Sequence, residues 1–224
     1  MRIIKLFKNH ILALITAVVL IIITCNADLM LPAYMSEIVD VGIQQGGIES
    51  PVPDTIRRDS LDDLEMFMSE ENASIVEAAY SSPDEQGICT YQGTEVDRED
   101  DGAVAQAMSL PETVALALAQ GVDASHLDNT GSGQGSLSMD DVRAAFTAGM
   151  LSRGQLVAGA QAMADSMGEM GGSIVRQRAI GYVQQEYEAQ GISLADVQNS
   201  YLAGMTAKMF GLCAISLVAT ILTG

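Results

Sequence analysis

A glycine-rich segment is the first feature of this sequence that could bind a ligand. Residues 129–136 read Asn-Thr-Gly-Ser-Gly-Gln-Gly-Ser, and backbone amides in such segments can cradle phosphate groups. The segment contains no lysine, and no hydrophobic strand precedes it. We therefore interpret it as a flexible linker and not as a phosphate loop.

Acidic residues on both sides of this segment raise the question of calcium binding. They are Asp123, Asp128 and the Asp140–Asp141 pair. Their spacing does not match the twelve-residue calcium loop, which needs oxygen ligands at its first, third and fifth positions and a glutamate at its twelfth. A calcium site built from this region stays an open alternative.

Methionine and histidine side chains offer a second kind of metal ligand. Met163, Met167 and Met170 follow helical spacing on one face, and thioethers suit Cu(I). Filling a core that is poor in aromatic residues is the simpler role for them. His126 has no second histidine or cysteine near it in sequence, and Cys25, Cys89 and Cys213 lie far apart. The sequence thus predicts no catalytic, cofactor-binding or metal-binding residue.

The charged residues are segregated along the chain. All 29 acidic residues lie between Asp28 and Asp196, where seven arginines are the only basic residues. This acidity excludes nucleic acid as a partner of the region. Arg2, Lys5 and Lys8 precede the first apolar run. Basic flanks stay in the cytoplasm, so we expect a cytoplasmic N-terminus and an extracytoplasmic acidic region.

Both ends of the chain are apolar and follow helical periodicity. The run Ile11–Ile23 continues into an amphipathic stretch, so we predict one helix over residues 11–43. Such a helix measures about 50 Å, whereas the hydrocarbon core of a bilayer is about 30 Å thick. Pro32 is expected to kink it. The alternative for this end is a signal peptide that is cleaved after Ala27.

The C-terminal end repeats this arrangement in the opposite order. Ser193 is a good N-cap for an amphipathic stretch that runs into the apolar segment Met209–Thr223. From Lys208 to Gly224 a helix covers only about 24 Å, so we expect a second membrane helix that is truncated here. The amphipathic parts of the two terminal helices are expected to pack together as an antiparallel hairpin.

The region between the terminal helices, residues 44–193, is predicted to be a mainly helical domain. We expect a helix capped by Ser60, one that starts at Pro111 and one capped by Ser138 with Asp141. Further helices are predicted over residues 73–80 and 174–189, and residues 88–96 form the one segment with extended character.

Two stretches resemble the first helices of bacterial ATP-binding cassette (ABC) exporters in which permease and ATPase are fused. The first is Asp28–Ile43 followed by Gln44–Ile48, with a Leu-Pro pair, then Met-Ser-Glu-Ile-Val-Asp and Gly-Ile. The second comprises Gln185–Ile192 and Gln198–Leu202. The resemblance designates as helix-packing candidates Leu31, Pro32, Met35, Glu37, Ile38, Asp40 and Gly42.

The resemblance implies an all-α membrane protein fragment with three regions. Residues 1–43 would form a cytoplasmic elbow and the first transmembrane helix, and residues 194–224 would begin the second. Residues 44–193 would form an extracytoplasmic insert, which is larger than the short loop of most family members. The implied function is part of the permease domain of an ATP-driven exporter, which contributes to the substrate path.

The parts of this family that carry its chemistry are missing from the sequence. There is no Gly-x-x-x-x-Gly-Lys-Ser/Thr loop and no Leu-Ser-Gly-Gly-Gln signature, so we expect no enzymatic activity from the chain as given. ATP and magnesium are expected only in an ATPase domain elsewhere in the full-length protein. The implied partners are the lipid bilayer, the rest of the same chain and a homologous or identical half-transporter.

A sensor is the alternative function: two transmembrane helices that bracket an extracytoplasmic ligand-binding domain. It explains the charge pattern equally well, but it does not require the Leu-Pro to Gly-Ile stretch.

We predict that the natural reading frame continues past Gly224 into four more membrane helices and an ATPase with a phosphate loop. Sequencing the downstream DNA checks this prediction. A stop codon directly after Gly224 would contradict the exporter, and a signalling domain in that place would favour the sensor.

Overall fold

The structure is a computed structural model that describes residues 11–99, 101–120, 138–166 and 171–223. The described chain is mostly helical and divides into two compact units. The first unit comprises the described parts of Met1–Gly47 and Ala195–Gly224, and the second is Ile48–Leu194. The predicted linker at 129–136, as well as Asp123, Asp128, His126, Met167 and Met170, lie outside the described residues.

The first unit is built from the two terminal helices. Helix α1 (Ile11–Glu37) contains Pro32 and is followed by a π-helical segment (Ile38–Gln44). The helix predicted over residues 11–43 therefore changes its winding at residue 38, a feature that the apolar periodicity did not predict. Gly46 and Gly47, both with positive φ, follow the segment, and the Gly47 amide donates to the Val41 carbonyl at 2.8 Å. The C-terminal helix of this unit is Leu194–Thr223.

Within the part of the chain that the structure describes, three helical stretches are long and apolar enough to cross a membrane by length and composition: Ile15–Gln44, Glu95–Ala119 and Leu194–Thr223. Their surroundings differ. The most apolar part of the first is 6% buried and that of the third is 11% buried, whereas the second is 67% buried. The first and third thus leave their apolar side chains uncovered within the described protein, and the second is a core element of the other unit.

A small antiparallel sheet opens the second unit. Strand β1 (Thr55–Arg57) pairs with β2 (Ile88–Thr90). Ile56 stands opposite Cys89, and both side chains are fully buried. The predicted extended segment 88–96 is therefore correct only for its first three residues, because Glu95–Arg98 forms a short helix. Strand β1 was not predicted, since three residues are too few for an alternating pattern to stand out.

The described residues of this unit also form seven helices: α2 (Arg58–Glu65), α3 (Glu70–Ala79), α4 (Glu95–Arg98), α5 (Ala103–Ala119), α6 (Met139–Thr147), α7 (Arg153–Ser166) and α8 (Gly171–Ala189). The C-terminal helix of the first unit is accordingly α9 (Leu194–Thr223). The capping box of Ser138 and Asp141 is confirmed at the start of α6.

Two predicted helix starts are wrong. Helix α2 begins at Arg58, so Ser60 lies inside it and is not its cap. Helix α5 begins at Ala103 and contains Pro111, which was predicted to start a helix. Proline lacks an amide hydrogen, so position 111 cannot donate the usual bond to the Ala107 carbonyl. The apolar residues before it are buried and keep the helix continuous through the proline.

The core of the second unit surrounds α5. One cluster joins α5 to α2, α3 and the sheet through Leu61, Leu64, Val76 and Met108. A second cluster joins its C-terminal half to α6 and α7 through buried residues that include Val114, Leu118, Val142 and Leu156. Aliphatic side chains and methionine therefore supply most of the described core, as the scarcity of aromatic residues predicted.

Candidate functional site

The motif residues of the first helix lie on different sides of it. One of them, Gly42, is buried. The half-buried ones are Leu31, Glu37 and Ile38, and the exposed ones are Pro32, Met35 and Asp40. The Asp40 carboxylate accepts hydrogen bonds from the Ser36 hydroxyl at 3.1 Å and from the Gln44 side-chain amide at 3.3 Å. Both partners lie one turn away on the same helical stretch, so Asp40 braces the start of the π-helical segment.

Gly42 lies at a close contact between the two terminal helices. A Cβ atom at this position would lie 2.7 Å from Leu202 Cδ2 and 3.4 Å from Tyr201 Cε1. The Gln198 side-chain amide donates to the Gly42 carbonyl at 2.7 Å. A larger side chain at position 42 would displace the end of the Leu202 side chain and crowd the Tyr201 ring.

One further hydrogen bond joins the same helices nearer the chain ends. The Ser216 hydroxyl donates to the Asp28 carboxylate at 3.4 Å. Beyond it lies an open apolar groove of about 320 Å³, lined by Leu20, Ile23, Ala214, Ile215, Val218 and Ala219. The order of these contacts along both helices is antiparallel: position 42 meets 198–202, and position 28 meets 216.

The densest polar cluster described in the second unit is the ion pair between the buried carboxylate of Glu186 and the Arg57 side chain, which is 46% exposed. Glu186 of α8 is 2% exposed and accepts from the Arg57 side chain through both carboxylate oxygens, at 3.0 and 2.8 Å. It also accepts from the Arg57 amide, the Ser60 hydroxyl and the Gln190 side chain, at 2.9, 2.9 and 3.0 Å. The cluster joins α8 to β1 and α2.

These contacts decide the protonation of the pair. Burial by itself would raise the pKa of Glu186, but the hydrogen bonds from Arg57, Gln190 and Ser60 outweigh it and the pKa is lowered. The hydrogen bond to Glu186 likewise raises the pKa of Arg57. The pair is therefore ionised at neutral pH and satisfies its own charges.

Glu112 is a second buried carboxyl group, but it lacks the hydrogen-bond donors that Glu186 has. Its side chain is fully buried in α5, and neither of its oxygen atoms has a hydrogen-bond partner within the described structure. Burial raises the pKa of the Glu112 carboxyl well above its ordinary value. Desolvation favours the neutral acid, so Glu112 retains its proton to a higher pH than an exposed glutamate does.

Sequence reasoning missed both buried carboxyl groups. One signal for Glu112 was available: it is the only charged residue between Asp101 and Asp123, in a stretch with helical apolar periodicity. Glu186 gave no comparable signal, because it stands beside the exposed Glu188 in a polar helix. Its partner Arg57 is 129 positions away in sequence, and only the fold brings the two together.

The described residues contain no group of three or more histidine, cysteine, aspartate or glutamate side chains that could hold a metal ion. No protein family, curated protein or solved structure matches the chain. The candidate site is therefore defined by its geometry: the close helix contact at Gly42 and the apolar surface of α1 and α9.

We expect Gly42→Val to destabilise the contact between α1 and α9 by roughly 1–3 kcal/mol, because the new side chain overpacks it. Adding Leu202→Ala should recover most of this loss by opening the space. Gly204→Val is the matched control, since a Cβ at position 204 meets nothing within 4 Å. Thermal unfolding in detergent, followed by circular dichroism, measures the three variants. Equal losses for positions 42 and 204 would contradict the close contact.

Arg57→Ala should lower the free energy of unfolding by roughly 2–4 kcal/mol at neutral pH, because it leaves a buried carboxylate short of its cation. The lowered pKa of Glu186 means that this contribution is present above the unfolded pKa of about 4.3 and is lost as the pH falls through the folded value. Denaturant titrations should therefore show native and variant converging in acid. Arg58→Ala, whose nearest partner Asp62 is half exposed, should cost less than about 1 kcal/mol.

Proposed function

We propose that this chain is part of the transmembrane domain of an ATP-driven ABC exporter. In this proposal α1 with its π-helical segment and α9 form an antiparallel hairpin in the membrane. The unit Ile48–Leu194 is an extracytoplasmic domain inserted between them. ATP and magnesium bind elsewhere in the full-length protein, and this chain contributes to the path of the substrate.

The uncovered apolar surface of the terminal helices is the observation that carries the proposal. Ile21, Phe210 and Leu217 are 51%, 76% and 60% exposed. Each square ångström of such surface costs about 25 cal/mol in water, so a chain that kept it in water would aggregate. A lipid bilayer, or further helices of the same transporter, removes this cost.

The lengths of the helices support a crossing with an outer extension. Ile15–Gln44 and Leu194–Thr223 have 30 residues each, or about 45 Å at about 1.5 Å per residue. The hydrocarbon core takes up about 30 Å. Roughly three turns of each helix therefore extend beyond it. Gly42 and its partners on α9 lie in these extensions, next to the ends from which the inserted domain begins and returns.

The charge distribution supports the orientation. Arg2, Lys5 and Lys8 precede the first apolar run, and the inserted unit contains arginine but no lysine. Positively charged flanks remain in the cytoplasm during insertion. The domain Ile48–Leu194, with its excess of acidic residues, is then translocated to the outer side.

The resemblance of Asp28–Ile48 to the first helix of exporters favours this function over a sensor. The apolar faces that α1 and α9 leave open fit four further membrane helices of the same chain and a homologous or identical half-transporter.

We expect Glu85→Cys to react with a membrane-impermeant maleimide on intact cells, in a chain whose Cys25, Cys89 and Cys213 are replaced by alanine. Glu85 is exposed in the inserted unit, so its reaction depends on the side of the membrane. Lys5→Cys, in the basic N-terminal segment, is the control and should react only after the cells are permeabilised. Labelling of the two positions in the reverse order would overturn the orientation, and recovery of the chain in the soluble fraction would overturn the membrane assignment.

A further inference from the structure

The centre of the inserted unit holds a carboxyl group that nothing described around it compensates. Glu112 occupies the middle of α5, directly after Pro111, and is 0% exposed. Its neighbour Thr113 is also fully buried, and the Thr113 hydroxyl donates to the Val175 carbonyl of α8 at 2.9 Å. Glu112 therefore lies in the part of α5 that packs against α8.

These helices pack closely on the same side of α5. A Cβ at Gly181 of α8 would lie 3.2 Å from Leu116 Cδ2 of α5. Ala179, Ile180 and Val183 of α8 are buried, at 0–2% exposure. An ionised carboxylate in such a contact has neither solvent nor a hydrogen-bond donor, and it must either bind a proton or disrupt the packing.

The titratable groups that face Glu112 do not neutralise it. From the end of α3 it is faced by Tyr80, and from α8 by Tyr182 and Tyr187. Tyr80 is engaged by the Pro53 carbonyl and the Met108 sulfur, and Tyr187 by the Asp54 amide. Burial raises the pKa of all three phenols, that of Tyr187 to about 12, so they stay neutral.

The described cations next to these tyrosines are committed elsewhere. Arg98 of α4 acts on Tyr80 and Tyr187 and forms an ion pair with Asp54 at 2.6 Å. Arg57 of β1 contacts Glu186 of α8 through both carboxylate oxygens. From α2, Asp63 lies near enough to influence Tyr182 and forms an ion pair with Arg143 of α6. Among the described residues, no basic side chain contributes to the environment of Glu112.

We propose that Glu112 makes the packing of α5 against α8 depend on a bound proton, so that the inserted unit is tightest in mildly acidic solution and loosens as the pH rises. This inference does not rest on the proposed function. If the unit is extracytoplasmic, the proton that it senses is that of the outer medium.

The pH window follows from the two buried carboxyl groups. The pKa of Glu112 is higher in the folded than in the unfolded protein. Below the unfolded pKa of about 4.3, both states bind the proton and the buried carboxyl group does not destabilise the fold by its charge. As the pH rises from there through the folded pKa, the free energy of unfolding falls. Glu186 has a lowered pKa and loses its contribution only below the unfolded value. The two effects therefore occupy separate ranges, with the greatest stability between them.

Two variants remove the proton site. Glu112→Gln keeps the shape of the side chain but not its charge, and Glu112→Met also removes the unpartnered polar atoms, which protects the test if the glutamine variant fails to fold. Glu188→Gln is the matched control, because it makes the same change at an exposed position of α8.

The first measurement is hydrogen exchange of the full chain in detergent. Mass spectrometry reads the exchange on peptides from α5 and α8. In the native chain and in Glu188→Gln, protection factors should fall by up to tenfold for each pH unit above about 4.5, since one proton is linked to opening. In both Glu112 variants they should stay level and exceed the native values at pH 7.5. Native protection that is independent of pH, or an equal fall in the Glu112 variants, would overturn the proposal.

Difference infrared spectroscopy provides a readout that a purely structural role would not change. The native chain should retain the carbonyl band of a protonated buried carboxyl group at pH 6, as should Glu188→Gln. Glu112→Gln and Glu112→Met should lack it. Absence of that band from the native chain would also overturn the proposal, whichever side of the membrane the unit occupies.

Discussion

Apolar side chains must be kept from water, and the two units of this chain meet that requirement in different ways. The unit Ile48–Leu194 does so internally, around α5, which is apolar enough to resemble a membrane helix yet is mostly buried. Helices α1 and α9 have similar composition and leave the same kind of surface uncovered. Composition alone does not separate a core helix from a membrane helix, and the distinction comes from what packs around each one.

The protonation of the buried carboxyl groups likewise depends on what packs around each one. Glu186 is buried with a guanidinium, a backbone amide, a hydroxyl and a side-chain amide, so it keeps its charge. Glu112 is buried among neutral groups and keeps its proton. Both belong to the contacts that join α5, α8 and the small sheet. The stability of this unit therefore responds to pH from both sides, because one carboxyl group must be ionised and the other must not.

Several elements of this protein could be predicted because their causes are local. The capping box at Ser138 and the helix Gly171–Ala189 follow from residues within a few positions of one another. The predicted start at Pro111 was wrong because buried apolar residues before it, such as Val104 and Met108, extend the helix past its local signal. The predicted cap at Ser60 was wrong because the helix begins at Arg58 and the Ser60 hydroxyl donates to Glu186 instead. The change to π-helical winding at Ile38 has no pattern in sequence that would announce it.

The sequence by itself determined the segregation of charge, the two apolar terminal helices and the helical class of the region between them, because periodicity and composition are properties of neighbouring residues. Only the tertiary structure decided which glycine allows a close helix contact, that Thr55–Arg57 pairs with Ile88–Thr90, and that Arg57 meets Glu186. It also decided that Glu112 stands without a partner among the described residues. Desolvation and pairing depend on groups that are distant in the chain, and the spacing of residues does not reveal such neighbours.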